Sequence, residues 1–174
     1  KHWPAAQVTI AIELQEARRR SKGKFPNHPQ LIADITGVQQ ATPWVIATAK
    51  AQRFGPHAHV LDGCCGIGGD SMALAARGPV TAVDHDPIRC WMAQTNAECS
   101  GQSVELADAL GPFDAFHIDP SRRDPRSGRR LHEPEHWLPP LSSLEPIRQA
   151  IPDGVIKIGP GIDIATLPTQ PTDE

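Results

Sequence analysis

The sequence predicts an α/β fold, a parallel sheet covered by helices and entered through a helical N-terminal extension. Three observations carry this. From His57 onward, short apolar runs alternate with helix-length segments, as expected of strands that need helical crossovers to return parallel. Residues 60–71, VLDGCCGIGGDS, pass from an apolar run into glycines at 63, 66, 68 and 69 and then into a helix-forming stretch. The next apolar run, VTAVD, ends on Asp84, 22 positions after Asp62.

The elements follow in order. Residues 4–20 place Ala, Val, Ile and Leu at roughly helical spacing and then turn basic, which predicts an amphipathic helix ending near Ser21 to Gly23. Lys24 to Pro29 reads as loop. A second helix is expected with Thr42 as N-cap and Pro43 at its first position, running to Phe54 before Gly55-Pro56 stops it. Residues 1–56 thus form a helical extension, with no chemistry of its own, that could serve as a lid or a substrate-facing wall; residues 57–174 form the α/β domain. Within that domain strands are expected at 58–62, 80–84, 104–106, 114–119 and 154–158, with helices at 70–77, 87–100 and 141–150.

Composition narrows the class. The 174 residues are 39% hydrophobic and include 18 Pro, four Phe, four Trp and no Tyr, enough for one core but with many loops. No apolar stretch approaches the roughly 20 residues of a membrane span. The chain opens on Lys-His-Trp-Pro, without Met or an apolar leader, so it reads as trimmed at its start and as cytoplasmic. Cys64, Cys65, Cys90 and Cys99 show no C-x-x-C spacing, which fits reduced thiols rather than zinc ligands. The net charge of -3 conceals two basic islands, one at residues 18–24 and one at residues 122–130. Such islands are usually solvated surface, and otherwise a phosphate-binding footprint.

A glycine-rich turn after a first strand lets backbone approach a ligand, and the following helix adds unpaired N–H groups and the positive end of its dipole. Asp84, at the tip of strand two, is placed to accept ribose hydroxyls of either a dinucleotide or an adenosyl cofactor. The dinucleotide fingerprint G-x-G-x-x-G, starting at Gly66, requires glycine at 71, where the chain has Ser71. That reading fails by one residue.

The run D-x-x-C-G-x-G-G resembles the cofactor motif of class I S-adenosylmethionine-dependent methyltransferases, with Asp62, Gly66 and Gly68 on matching positions. Cys64 stands where many members carry glycine, as in the similar trimethylguanosine-synthase-like branch. The resemblance implies a Rossmann-like sheet and S-adenosyl-L-methionine as cofactor. Asp62, Gly63, Cys64, Gly66 and Gly68 would hold its methionine part, Asp84 with the adjacent His85 its ribose, and Asp108, in LADAL, its adenine. Such enzymes have seven strands; five can be placed before the Pro- and Thr-rich tail at 166–172, so the last hairpin is expected to be missing.

In FHIDPSRRD, residues 116–124, Asp119 and Pro120 match the (N/D)-P-P-aromatic motif of methyltransferases that act on exocyclic amines, and the resemblance implies that they hold the target nitrogen. Ser121 and Arg122 depart from that motif, so a base would stack on a guanidinium or on Trp137. Arg122 and Arg123 would grip phosphate. ATPWVIA, LDGCCGIGGD, IDPSRRD, GRRLHEPE and VIKIGPGID together are similar to a bacterial methyltransferase group that often carries a THUMP-like C-terminal domain. This implies an RNA substrate. The alternatives are a non-catalytic adenosyl- or nucleotide-binding module and an enzyme acting on a small molecule or protein.

Three other features are set aside. His132-Glu133-Pro134-Glu135-His136 fits H-E-x-x-H, but Pro134 interrupts the helix that zinc chemistry would need, so no metal is expected. His85 and His117 flank the expected site and read as structural or surface residues, since methyl transfer to an amine depends mainly on positioning. Cys64 and Cys65 read as small turn residues rather than nucleophiles.

Overall fold

The computed structural model describes residues 3–109, 111–124, 126–151, 153–159 and 162. Four strands form where the apolar runs predict them: β1 Val60–Gly63, β2 Val80–Val83, β4 Ala115–Ile118 and β5 Asp153–Ile156. The third, β3, is Ser100–Gln102, not the expected 104–106. Its Ser-Gly-Gln sequence pairs with β2 at the sheet edge, where no apolar side chain is needed. Leu106 instead turns into the core within a 3₁₀ turn, Leu106–Asp108. All pairings are parallel and the order is β3-β2-β1-β4-β5. The chain builds outward from β1 in one direction and then in the other, so β1 and β4 flank the switch point at which such sheets bind ligands. The expected tail at 166–172 lies outside the described residues.

Six α-helices accompany the sheet among the described residues: α1 Ala5–Ser21, α2 Ile35–Gln40, α3 Trp44–Ala51, α4 Gly69–Ala75, α5 Pro87–Ala97 and α6 Glu145–Ala150. The second was not expected from the pattern; Asp34 caps it by accepting from the Gly37 amide at 2.6 Å. Thr42 does not cap α3, because its hydroxyl turns inward to Asp70. The expected helix 141–150 is split into a 3₁₀ turn at Leu141–Leu144 and α6, which carries proline in its first turn, where the missing N–H costs nothing. Membrane-length apolar helices are absent among the described residues.

Strand alternation divides the core. Val60, Val80 and Ala115 pack with Ala73 and Leu74 of α4 and with Ala47, Ala51 and Phe54, so α3 and the sheet share one core across residue 56. Leu61, Val83, Phe116 and Ile118 face the opposite side, against Leu106, Leu141, Leu144 and Ile151. A third cluster, built from Phe25, Leu31 and Val38 around Ile67 and Met72, fastens the N-terminal segment to α4 and to the loop before it. Most of α1 lacks cover: Val8, Ile10 and Ile12 of its expected apolar face are exposed.

Candidate cofactor and acceptor site

The glycine turn between β1 and α4 bends through three left-handed residues, Cys64 at φ 59°, Gly66 at φ 55° and Gly68 at φ 82°. Gly68 has a second reason to lack a side chain, since a Cβ there would lie 2.7 Å from the Ala93 Cα of α5. Cys64 accepts the same backbone conformation with a side chain that packs against the cluster that contains Leu61, Val83 and Leu106. Above Gly66 the space is open, with no protein atom within 4 Å of a Cβ built there. Gly63 closes the end of β1 under Leu106 and Ile118.

Four acidic side chains mark out the site. Asp84 follows β2 and accepts from the Gly66 amide at 3.0 Å and from the Asp86 amide at 3.1 Å. The exposed His85 ring stands beside it, Nδ1 to Oδ1 3.4 Å. Asp108 is exposed at the end of its 3₁₀ turn beyond β3. Asp119 follows β4 on the same edge of the sheet, its amide donating to Gly63 O at 3.3 Å. The adjacent Pro120 is buried.

Asp62 is 1% exposed, and both of its carboxylate oxygens are engaged by protein. It lies directly across from His117 in the β1–β4 register, with Oδ1 2.7 Å from His117 Nδ1, and Oδ2 accepts from Ser71 Oγ. His117 Nε2 is 2.9 Å from Lys50 Nζ, and that ammonium is 2.7 Å from Asp70 Oδ1. Asp70 Oδ2 accepts from Thr42 Oγ1 at 2.8 Å. Thr42 Oγ1 in turn receives Lys157 Nζ at 3.1 Å, and Lys157 pairs with Asp119 at 2.5 Å. A continuous polar chain therefore runs from Asp62 beneath the turn to Asp119. Burial alone would raise the Asp70 pKa; the charges of His117 and Lys50 and the Thr42 hydroxyl more than offset this and hold it below its ordinary value. Burial first, and then the surrounding carboxylates, push the Cys64 and Cys65 thiols far up.

Thr42, Lys50 and Lys157 were missed by sequence reasoning. The lone signal was Lys157 at the end of an otherwise apolar strand.

The loop after Pro120 returns antiparallel through bridges Ser121–Leu138 and Arg123–Arg130. Arg123 is exposed and donates to Gly128 O at 3.1 Å. Arg122 is half-buried against Gly159, and its Nη1 is buried without an acceptor among the described residues. Trp137 requires a correction as a stacking surface: it is 1% exposed and its indole N–H donates to Leu131 O, so the ring is a support of the loop. His136 sits in a single 3₁₀ turn, Pro134–His136, and His132 lies outside it. The first basic island is largely committed internally. Arg18 donates to Gln30 O and Leu31 O, Arg19 and Arg20 pair with Glu16, and Lys24 donates to three carbonyls at the end of α2.

The parallel sheet, its strand order and its flanking helices form a Rossmann-like fold of the kind found in methyltransferase structures. Residues 57–120 match the model of the RNA cap guanine-N2 methyltransferase family. An inferred methyltransferase of Porphyromonas gingivalis W83 superposes with a TM-score of 0.61 at 17% identity, over 71% of this chain and 35% of that one. This likeness shows the fold, and this chain spans only about a third of that protein. Magnesium protoporphyrin IX methyltransferase from Synechocystis PCC 6803, with its cofactor bound, gives 0.40 at 19% identity, over 68% of this chain and 62% of that one. An inferred rRNA methylase of Clostridium thermocellum gives 0.45 at 13% identity, over 62% and 64%. No curated protein is significantly similar in sequence.

Proposed function

We propose that the protein methylates a nitrogen of an RNA base, with Asp119 holding the acceptor. The supporting observation is that Asp84 and Asp119 leave neighbouring strands of β1 on one edge of the sheet, on either side of an open glycine turn. The turn suits S-adenosylmethionine: the space over Gly66 is clear, and no Lys or Arg is paired with Asp84 among the described residues. The cofactor supplies a methyl group on a sulfonium, already activated toward nucleophiles. In this reading Cys64, Gly66 and Gly68 line its methionine end, and Asp62 fixes the floor of the turn from below. Asp84 accepts from the ribose, with His85 alongside, and Asp108 accepts from the adenine amine.

Asp119, steadied by Lys157, accepts a hydrogen bond from the target N–H and aims the nitrogen lone pair at the methyl group. Pro120 keeps the following backbone rigid. Positioning of this kind supplies most of the rate when the electrophile is already activated. The RNA reading draws on the family match at residues 57–120 and on the arginines of the loop that follows Asp119. The deciding experiment is labelled-methyl transfer from S-adenosylmethionine onto total RNA and onto protein extract. Label in RNA, lost in Asp119→Ala, supports the proposal. Label in protein alone, or cofactor binding with no transfer to any acceptor, overturns it.

A further inference from the structure

The contacts beneath the glycine turn close into a ring. Asp62 Oδ1 meets His117 Nδ1, His117 Nε2 meets Lys50 Nζ, Lys50 Nζ meets Asp70 Oδ1, and Ser71, the next residue along the chain, returns to Asp62 Oδ2. Asp62 lies at the entrance of the turn and Asp70-Ser71 lie at its exit, in the first turn of α4. The ring therefore clasps both ends of the segment whose crest is Gly66. His117 thus bridges Asp62 and Lys50 through its two ring nitrogens. Asp62 and His117 are both 1% exposed, and the side chain of Lys50 is 18% exposed.

Lys50 is the single lysine or arginine of the ring, and it alone comes from the segment that precedes β1. It projects from α3, which packs on α4 through the core that they share. Its side chain is not needed to fill that core, which uses Ala47, Ala51 and Phe54. A buried carboxylate without a cation or donor is strongly disfavoured, so removing Lys50 would leave Asp70 with Thr42 and the more distant His117 Nε2, 4.0 Å away, and would take from His117 Nε2 its nearest partner.

We propose that Lys50 is a positioning residue of the cofactor site: by joining Asp70 to His117 it locks both ends of the 63–69 turn, and so the N-terminal segment completes the site. This rests on assigning that turn to the cofactor. Lys50 touches no ligand itself; it acts through the shape of the turn.

The test uses the full chain with Lys50→Met, which keeps the length and apolar stem, and Lys50→Gln, which keeps a donor. Val45→Ala on the exposed face of α3 serves as the control. Binding of S-adenosylhomocysteine by calorimetry, well below the melting transition, is expected to weaken about tenfold or more in Lys50→Met, less in Lys50→Gln and not at all in Val45→Ala. Amide exchange at Gly66 and Gly68 in the ligand-free protein is expected to speed up in the same order. If Lys50→Met does not melt cooperatively, Lys50→Gln carries both measurements. A lower melting temperature with affinity and amide exchange unchanged means a merely structural lysine and overturns the proposal. Should the unmodified protein fail to bind S-adenosylhomocysteine, the cofactor assignment fails, and amide exchange alone then decides whether Lys50 locks the turn.

Discussion

The backbone amide of Gly66 donates to Asp84 Oδ2 at 3.0 Å, so the crest of the glycine turn and the tip of β2 form one hydrogen-bonded unit. Asp84→Ala would remove this support together with the expected acceptor of the ribose. Two hydrogen bonds to a charged group contribute about 1.5–3 kcal/mol each. Affinity for S-adenosylhomocysteine, measured by calorimetry, should therefore fall about 100-fold or more. Intact affinity would displace the ribose from Asp84.

Gly68→Ala tests the turn from the packing side. A left-handed alanine costs about 1–2 kcal/mol, and the added methyl would meet the α5 backbone at 2.7 Å. The expected loss is about 2–4 kcal/mol, a melting temperature lower by roughly 5–15 °C in calorimetry. Gly66→Ala has the same backbone penalty but open space, so it should melt closer to the parent while still impairing cofactor binding.

Acid should loosen the ring. The Asp70 pKa is held below its ordinary value of 3.8, because burial, which raises it, is outweighed by His117, Lys50 and Thr42. A lowered folded value means that the stabilisation is fully present above 3.8 and is lost as pH falls through the folded value. Asp70→Asn should be less stable than the parent at neutral pH, with the gap closing in strong acid. Urea midpoints across pH would show it; a gap independent of pH would refute it.

Thiol reactivity separates turn residues from nucleophiles. Burial, reinforced by nearby carboxylates, raises Cys64 and Cys65 strongly, and burial lifts Cys99 to about 11. Alkylation of the native protein by iodoacetamide at mildly alkaline pH should be slow at all three and fast once urea unfolds the chain. Rapid native labelling of Cys64 would reopen a nucleophilic role.

The loop arginines divide by their contacts. Arg123 is tied to Gly128 O and Arg122 is half-buried, whereas Arg129 and Arg130 are exposed. Replacing Arg129 and Arg130 with Ala should flatten the dependence of log K on log salt by about 1.5–2 for bulk RNA. Replacing Arg122 and Arg123 should weaken binding with a smaller change in slope. Identical slopes in all variants would remove phosphate contacts from this loop.

The parts of the fold that were legible are those in which local pattern and burial coincide. β1, β2 and β4 are apolar runs with both faces covered, and the turn declared itself through Gly66, Gly68 and the acid at 84. β3 was misplaced because an edge strand of Ser, Gly and Gln has no apolar signature, while Val104 and Leu106 have one without being a strand. Lys50 and Thr42 were illegible for another reason. A lysine on a short helix reads as solvent-facing, and only the fold brings it 67 positions along the chain to His117. Lys24 misled in the same way: its charge read as solvated surface, or otherwise as a phosphate footprint, but its ammonium caps the end of α2. Trp137 looked like a surface for a base, and the loop that returns over it hides it.

The polar edge strand also governs how the molecule meets copies of itself. A sheet margin becomes sticky when it offers a long, flat row of unpaired backbone flanked by apolar side chains. β3 offers three residues, Ser100–Gln102, none of them apolar. That end of the sheet is a poor template for strand addition, so concentrating the protein should not draw monomers together through it.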